Sequence, residues 1–356
     1  MVRSIIKNNI VKRIVCCLMI CMMAGMLSGC EKQSEQEEVD QQKEDKIQIG
    51  FCFDSFLIER WERDRDIFVT TAKELGAEVN VQNANGDVNQ QIAQIEYLID
   101  KKMDAILIVG VDSDGLAEVV KKAKDEGIVV IAYDRMIYNA DVDLYISFDN
   151  EAVGRMMGEE LVKAGVEGGR VLVLGGPTTD NNVSMVNAGF AKVMRENNNE
   201  IVDVMYADNW KPEYASNYIY EHSDILDEID AIMCGNDSLA THVIRVLAEK
   251  RKAGEILVTG QDAELEACQR IVEGTQLMTV YKPVEIQAKT AAECTIELIE
   301  GKKPDQINVS MSDGEYDVPG IVFEPIAVNA SNMDRIIIDS GFHLREDVYL
   351  NVGNAE

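Results

Sequence analysis

The sequence predicts an α/β protein made of two doubly wound parallel-sheet lobes, and three observations lead there. Short β-branched runs alternate with amphipathic segments of helical length, the pattern of βαβ units whose sheet is covered on both faces. The alternation that begins at Ile47 restarts at Asn150 with a second set of elements. The stretch from Ile47 onward, about 310 residues, is also too long for one core, so two domains are expected.

In the first set, 47–53 reads as a strand, 58–75 as a helix, 78–82 as a strand, 88–101 as a helix and 105–109 as a strand. A helix over 115–126, stopped by Gly127, and a strand over 128–132 complete it. The second set runs helix 150–164, strand 170–174, helix 182–196, strand 201–206 and helix 212–222. It continues with strand 231–234, helix 238–249, strand 256–259, helix 263–273 and strand 279–281.

Ahead of these elements, residues 1–29 hold a basic start (Arg3, Lys7, Lys12, Arg13) and an apolar stretch too short to span a bilayer, with Ser28 and Gly29 preceding Cys30. This resembles a bacterial lipoprotein signal. It implies that Cys30 becomes the acylated N-terminus and anchors the protein to the outer face of the cell membrane. Residues 30–45, rich in Glu, Gln, Asp and Lys with Val39 as the only aliphatic residue, read as a flexible acidic stalk. The formal charge of −29 becomes −33 once a leader with four basic residues is removed, which repels nucleic acid and anionic headgroups alike.

Four cysteines remain beyond Cys30: Cys52, Cys234, Cys268 and Cys294. No C-x-x-C pair occurs among them, so zinc and redox motifs are not expected; unpaired thiols would suit a reducing habitat, and a disulfide between two of them stays open. His222, His242 and His343 are scattered and form no metal-ligand spacing, and no cofactor fingerprint is present.

Ligands of open parallel sheets sit beyond the carboxyl ends of the strands. There the sequence places Arg60-Trp61, Asp134-Arg135, Asp180-Asn181-Asn182, Asp208-Asn209-Trp210, Asn236-Asp237, Gln261-Asp262 and Lys282. Carboxylates accept from hydroxyls, Arg and Lys donate to them, Asn does both, and indoles cover the C–H faces of a sugar ring. The set suits a neutral polyhydroxylated ligand; a phosphate would call for glycine-rich turns. Each residue also has a plainer use. Asp180, Asn182, Asn236 and Asp262 fit helix N-caps, Arg135 fits an ion pair with Asp134 or Asp141, Lys282 fits a surface lysine, and Trp61 and Trp210 fit ordinary packing.

The strings Glu59-Arg60-Trp61-Glu62-Arg63-Asp64-Arg65-Asp66, Gln82-Asn83-Ala84-Asn85-Gly86 and Ala132-Tyr133-Asp134-Arg135-Met136-Ile137 are similar to those of bacterial D-xylose-binding proteins of ABC importers. So are Tyr145-Ile146-Ser147-Phe148-Asp149-Asn150, Gly260-Gln261-Asp262-Ala263 and Met278-Thr279-Val280-Tyr281-Lys282-Pro283. The resemblance implies a type I periplasmic binding protein fold, two lobes joined by a three-segment hinge. The lobes would comprise 46–149 with 283–320 and 150–282 with 321–345, followed by a tail at 346–356. Crossovers would lie near 148–150, 281–284 and 318–325. It further implies that Arg60, Arg135, Asp180, Asn182, Asn236, Asp262 and Lys282 hydrogen-bond a pentose, that Trp61 and Trp210 sandwich its ring, and that Asp134 stands beside the site. The stretch 51–58 departs from the family in being more apolar.

No catalytic residue emerges: Gly175-Gly176-Pro177 is not a dinucleotide fingerprint, no G-x-S-x-G occurs, and no triad pattern is visible. A sugar-responsive repressor of this fold would start with a basic helix-turn-helix instead of an export signal. Two roles therefore remain for a monomeric, lipid-anchored monosaccharide receptor. It delivers sugar to an ABC permease and its ATPase, or it presents its closed state to a membrane sensor, a histidine kinase or chemoreceptor.

Overall fold

A computed structural model describes residues 46–352. The leader, Cys30, the stalk and the last four residues lie outside the described residues.

From Gln48 onward the chain forms two sheets. In the first, β1 (Gln48–Phe53), β2 (Glu78–Asn83), β3 (Ala105–Ile108), β4 (Val129–Tyr133), β5 (Leu144–Phe148), β11 (Val309–Ser312) and β12 (Asp317–Phe323) take the order β11-β12-β5-β4-β3-β1-β2. All neighbours are parallel except the edge pair β11–β12. In the second, β6 (Arg170–Gly175), β7 (Glu200–Tyr206), β8 (Ala231–Cys234), β9 (Leu257–Gln261), β10 (Met278–Tyr281) and β13 (Ile326–Asn329) take the order β13-β10-β9-β8-β6-β7, with only β13 antiparallel. Central strands such as β3 and β8 are buried throughout, as expected where helices cover both faces.

The helices of the first lobe are α1 (Arg60–Glu74), α2 (Val88–Asp100) and α3 (Ala117–Asp125). Those of the second are α4 (Asn150–Lys163), α5 (Asn181–Glu196), α6 (Glu213–Glu221), α7 (Asp237–Glu249) and α8 (Leu265–Glu273). Several begin where an Asp or Asn accepts first-turn amides: Asp87 from Asn89 and Gln90, Asp149 from Ala152. The helices α4 and α5 approach backbone to backbone, since a Cβ on Gly154 would lie 1.8 Å from Val186 O and one on Gly189 2.0 Å from Glu151 O. Only glycine permits that contact.

The chain crosses between the sheets three times: from β5 into α4, from β10 into α9 (Val284–Ile299), and from β12 into β13. The helix α9 packs on α1 of the first lobe. A short helix, α10 (Arg345–Val348), lies near the end of the chain and packs on α8. Cys52, Cys234, Cys268 and Cys294 are buried free thiols.

Four strands escaped the sequence pattern: β5, β11, β12 and β13, of which β12 directly follows its antiparallel partner β11 with no helix between. β5 is a parallel neighbour of β4 with no helix between them, so the βαβ alternation used to find strands passes over it. β11 and β13 are four-residue edge strands.

Candidate functional site

Both lobes aim their strand ends at one cleft. In each sheet the order reverses beside the first strand, between β1 and β3 and between β6 and β8, the position where doubly wound sheets open a crevice. Arg60 and Trp61 open α1 after β1, Asp134 and Arg135 follow β4, and Asp180 and Asn182 stand at the start of α5 after β6. Trp210 follows β7, Asn236 caps α7 after β8, Asp262 follows β9 and Lys282 follows β10. All ten, with Ile58 and Gln261, line a single chamber closed between the lobes.

The charges in and behind this chamber are paired. Arg60 Nη1 lies 3.0 Å from Asp134 Oδ2, while its Nη2 reaches Asp64 Oδ1 at 3.2 Å and Gln287 Oε1 at 2.8 Å. Arg135 joins Asp54 Oδ2 at 2.8 Å and Asp180 Oδ2 at 2.7 Å, the latter across the cleft. Lys282 Nζ stands 3.4 Å from Asp262 Oδ1, near enough for attraction but not for a good hydrogen bond. Burial would raise the Asp134 carboxyl, yet Arg60, Lys282 and Arg135 together hold it below the usual carboxylate range. At Asp54 and Asp180 burial prevails over Arg135, and both stand above their ordinary value.

Trp210 is seated with care. Asn209 and Trp210 both have positive φ, 51° and 57°, an uncommon pair for non-glycine residues and a mark of strain. The indole lies flat on Gly176, whose Cβ, if present, would be 2.2 Å from the ring, and its Nε1 donates to Asp180 Oδ2 at 3.2 Å. Across the chamber, the Arg60 guanidinium sits 4.4 Å from the Trp61 ring centre.

Among the described residues, five buried polar atoms of the lining have no hydrogen-bond partner: Trp61 Nε1, Asn182 Oδ1, Asn236 Nδ2, Gln261 Oε1 and Asp262 Oδ1. Two are donors and three are acceptors. Orphaned buried groups are costly and uncommon. A hydroxyl, which both donates and accepts, can satisfy either kind, whereas a pure donor or acceptor serves only one.

The plainer uses hold for some residues and fail for others. Asp180 and Asn236 do cap α5 and α7, accepting from Asn182 N and Leu239 N, but each keeps another polar atom in the lining. Asn182 lies inside its helix and Asp262 precedes the cap of α8, so neither is a cap. Arg135 bonds neither Asp134 nor Asp141 but Asp54, and Asp141 pairs with Lys124.

Sequence reasoning missed a backing layer. Asp64 accepts from Arg60 Nε and Nη2 and from the Tyr133 hydroxyl, and Gln287 donates to Ile146 O while accepting from Arg60. The i, i+4 spacing of Arg60 and Asp64 was a readable signal; nothing in the sequence links Gln287 to either. The apolar stretch 51–58, which begins within β1, supports the same corner, with Phe51 and Phe53 stacked at 4.2 Å and Phe53 beside Trp61 at 6.4 Å.

Residues 49–303 match the periplasmic binding protein domain family. The D-xylose-binding periplasmic protein of Escherichia coli is 40% identical over 309 residues, spanning 85% of this chain and 93% of that protein. The D-xylose-binding periplasmic protein of Haemophilus influenzae is also 40% identical over 309 residues, at 85% and 92%. Among solved structures, an ABC transporter solute binding protein from Clostridium phytofermentans with bound beta-D-glucose is similar at a TM-score of 0.76 and 27% identity, covering 85% of this chain and 99% of that one.

Proposed function

Because the chain belongs to the periplasmic binding protein domain family, non-enzymatic sugar receptors of ABC transporters, we propose that it captures one D-xylose between its lobes and delivers it to an ABC importer. The observation that carries this reading is the set of five buried atoms without a hydrogen bond, donors and acceptors mixed, on residues lining a chamber that also holds both tryptophans of the chain. Arg60, Arg135, Asp180, Asn182, Asn236, Asp262 and Lys282 bond the hydroxyls, Trp61 and Trp210 cover the ring, and Asp134 holds Arg60 beside them. Xylose is favoured by the 40% identity to two D-xylose-binding proteins.

Charge favours a neutral sugar. Arg60, Arg135 and Lys282 already face Asp54, Asp64, Asp134, Asp180 and Asp262, so a sugar acid would add a further anion to a carboxylate-rich enclosure. Calorimetry with xylose, ribose, arabinose, glucose and galactose tests the reading: one-to-one binding tightest for xylose supports it, and no heat with any of the five refutes it.

The protein works outside the cytoplasm, anchored by acyl chains on Cys30, with the 30–45 stalk giving a reach of roughly 20 Å if flexible. Among the described residues no helix is long and apolar enough to cross a membrane. Cys30→Ala should free the protein from membranes or leave it unprocessed with sugar binding intact; membrane fractionation and processing like the wild type would refute the anchor.

A further inference from the structure

The lobes also meet through groups outside the chamber lining. Ser113, after β3, and Met136, after β4, face Thr179 and Asn181 at the start of α5. Ser113 N donates to Thr179 O at 3.0 Å, and Asn181 N donates to Ser113 Oγ at 3.2 Å. Asn181 Oδ1 accepts from Met136 N at 3.0 Å and from Ser113 Oγ at 3.4 Å. Asn181 is the first residue of α5, so its N–H has no carbonyl within the helix and is available to the other lobe. Ser113 and Asn181 are 2% and 7% exposed, which shields these bonds from competing water. None of the four residues lines the chamber.

We infer that Ser113 and Asn181 form a clasp that sets sugar affinity by stabilising the closed lobes without touching the sugar. The inference rests on the chamber being a sugar site. Closure is an equilibrium separate from contact with the ligand, and apparent affinity scales with the fraction of protein able to hold the closed form. The clasp acts on that fraction alone. It therefore contributes the same factor to every sugar the chamber holds, and its loss appears in the escape rate, because these bonds must break before the lobes part. Arg135–Asp180 and Asn182–Asp134 bridge the lobes as well, but through residues of the chamber lining, so their loss would change selectivity too.

The test compares the full mature chain with Asn181→Ala, Ser113→Ala and the double variant, using calorimetry and stopped-flow release of xylose and of a second sugar that the wild type binds. Each single variant should weaken both sugars by one common factor, about five- to thirty-fold for Asn181→Ala and less for Ser113→Ala, carried by the dissociation rate. The double variant should lose less than the product of the single losses, since the partners share bonds. Ser113→Ala removes one oxygen and keeps the clasp testable if Asn181→Ala does not fold. Wild-type affinities and release rates in the variants overturn the clasp, as does a changed ratio between the two sugars, which would put Asn181 against the ligand. A wild type that binds no sugar overturns the chamber reading and the clasp with it; a sugar-binding wild type with indifferent variants overturns the clasp alone.

Discussion

The first lobe brings to the chamber side chains whose polar atoms are already engaged, while the second brings side chains with atoms to spare. Arg60 is held by Asp64, Asp134 and Gln287, and Arg135 by Asp54, Gly110 O and Asp180, so the first-lobe cations are fixed before any ligand contact. Among the described residues, its one lining atom without a hydrogen bond is Trp61 Nε1. The other four, on Asn182, Asn236, Gln261 and Asp262, stand at or just beyond the carboxyl ends of strands of the second sheet. One half is thus a rigid charged floor, and the other a set of groups that a polyhydroxylated ring would complete. Changes to the first half should cost folding stability, and changes to the second should cost affinity.

The largest expected effect lies in the floor. Asp64→Ala strips Arg60 and the Tyr133 hydroxyl of a fully buried partner and should lower unfolding stability by about 3 kcal/mol, read from urea unfolding. An unchanged midpoint would mean that the first lobe is no more fixed than the second. Next comes the seat of Trp210. A methyl on Gly176 would intrude on the indole, so Gly176→Ala should displace the ring and weaken xylose binding by about 1 to 3 kcal/mol, the scale expected of Trp210→Ala. Full affinity in Gly176→Ala would show that the ring position is immaterial. The smallest effect separates the two halves most cleanly. Asn236→Ser keeps an oxygen to cap α7 but removes the unpartnered Nδ2, so stability should stay within about 0.5 kcal/mol while affinity falls by about 1 kcal/mol. A stability loss without an affinity loss would reverse the division of labour.

This division was only half visible in the sequence. Residues that follow strands are recognisable as they stand, because parallel sheets present their carboxyl ends to a ligand; that is how Asn236, Asp262 and Lys282 can be picked out 20 to 30 residues apart. What holds them is not so visible. Gln287 meets Arg60 across 227 positions of sequence, and Gly176 meets Trp210 only because β6 and β7 are neighbours. Asp64 was within reach through its helical spacing from Arg60. For the fold, regular βαβ alternation exposed most elements, whereas β5 and β12, each reached from the preceding strand without a helix, and the short edge strands β11 and β13 carry too little periodicity to stand out.

The chain has only two tryptophans, and both line the chamber. Intrinsic tryptophan emission therefore reports on the site and on little else. Titrated with D-xylose, the protein should show an emission change that saturates at one sugar per chain, with a midpoint matching calorimetry and a smaller amplitude in Trp210→Phe. Calorimetric binding of xylose with no change in emission would place the sugar away from Trp61 and Trp210 and contradict the chamber as the binding site.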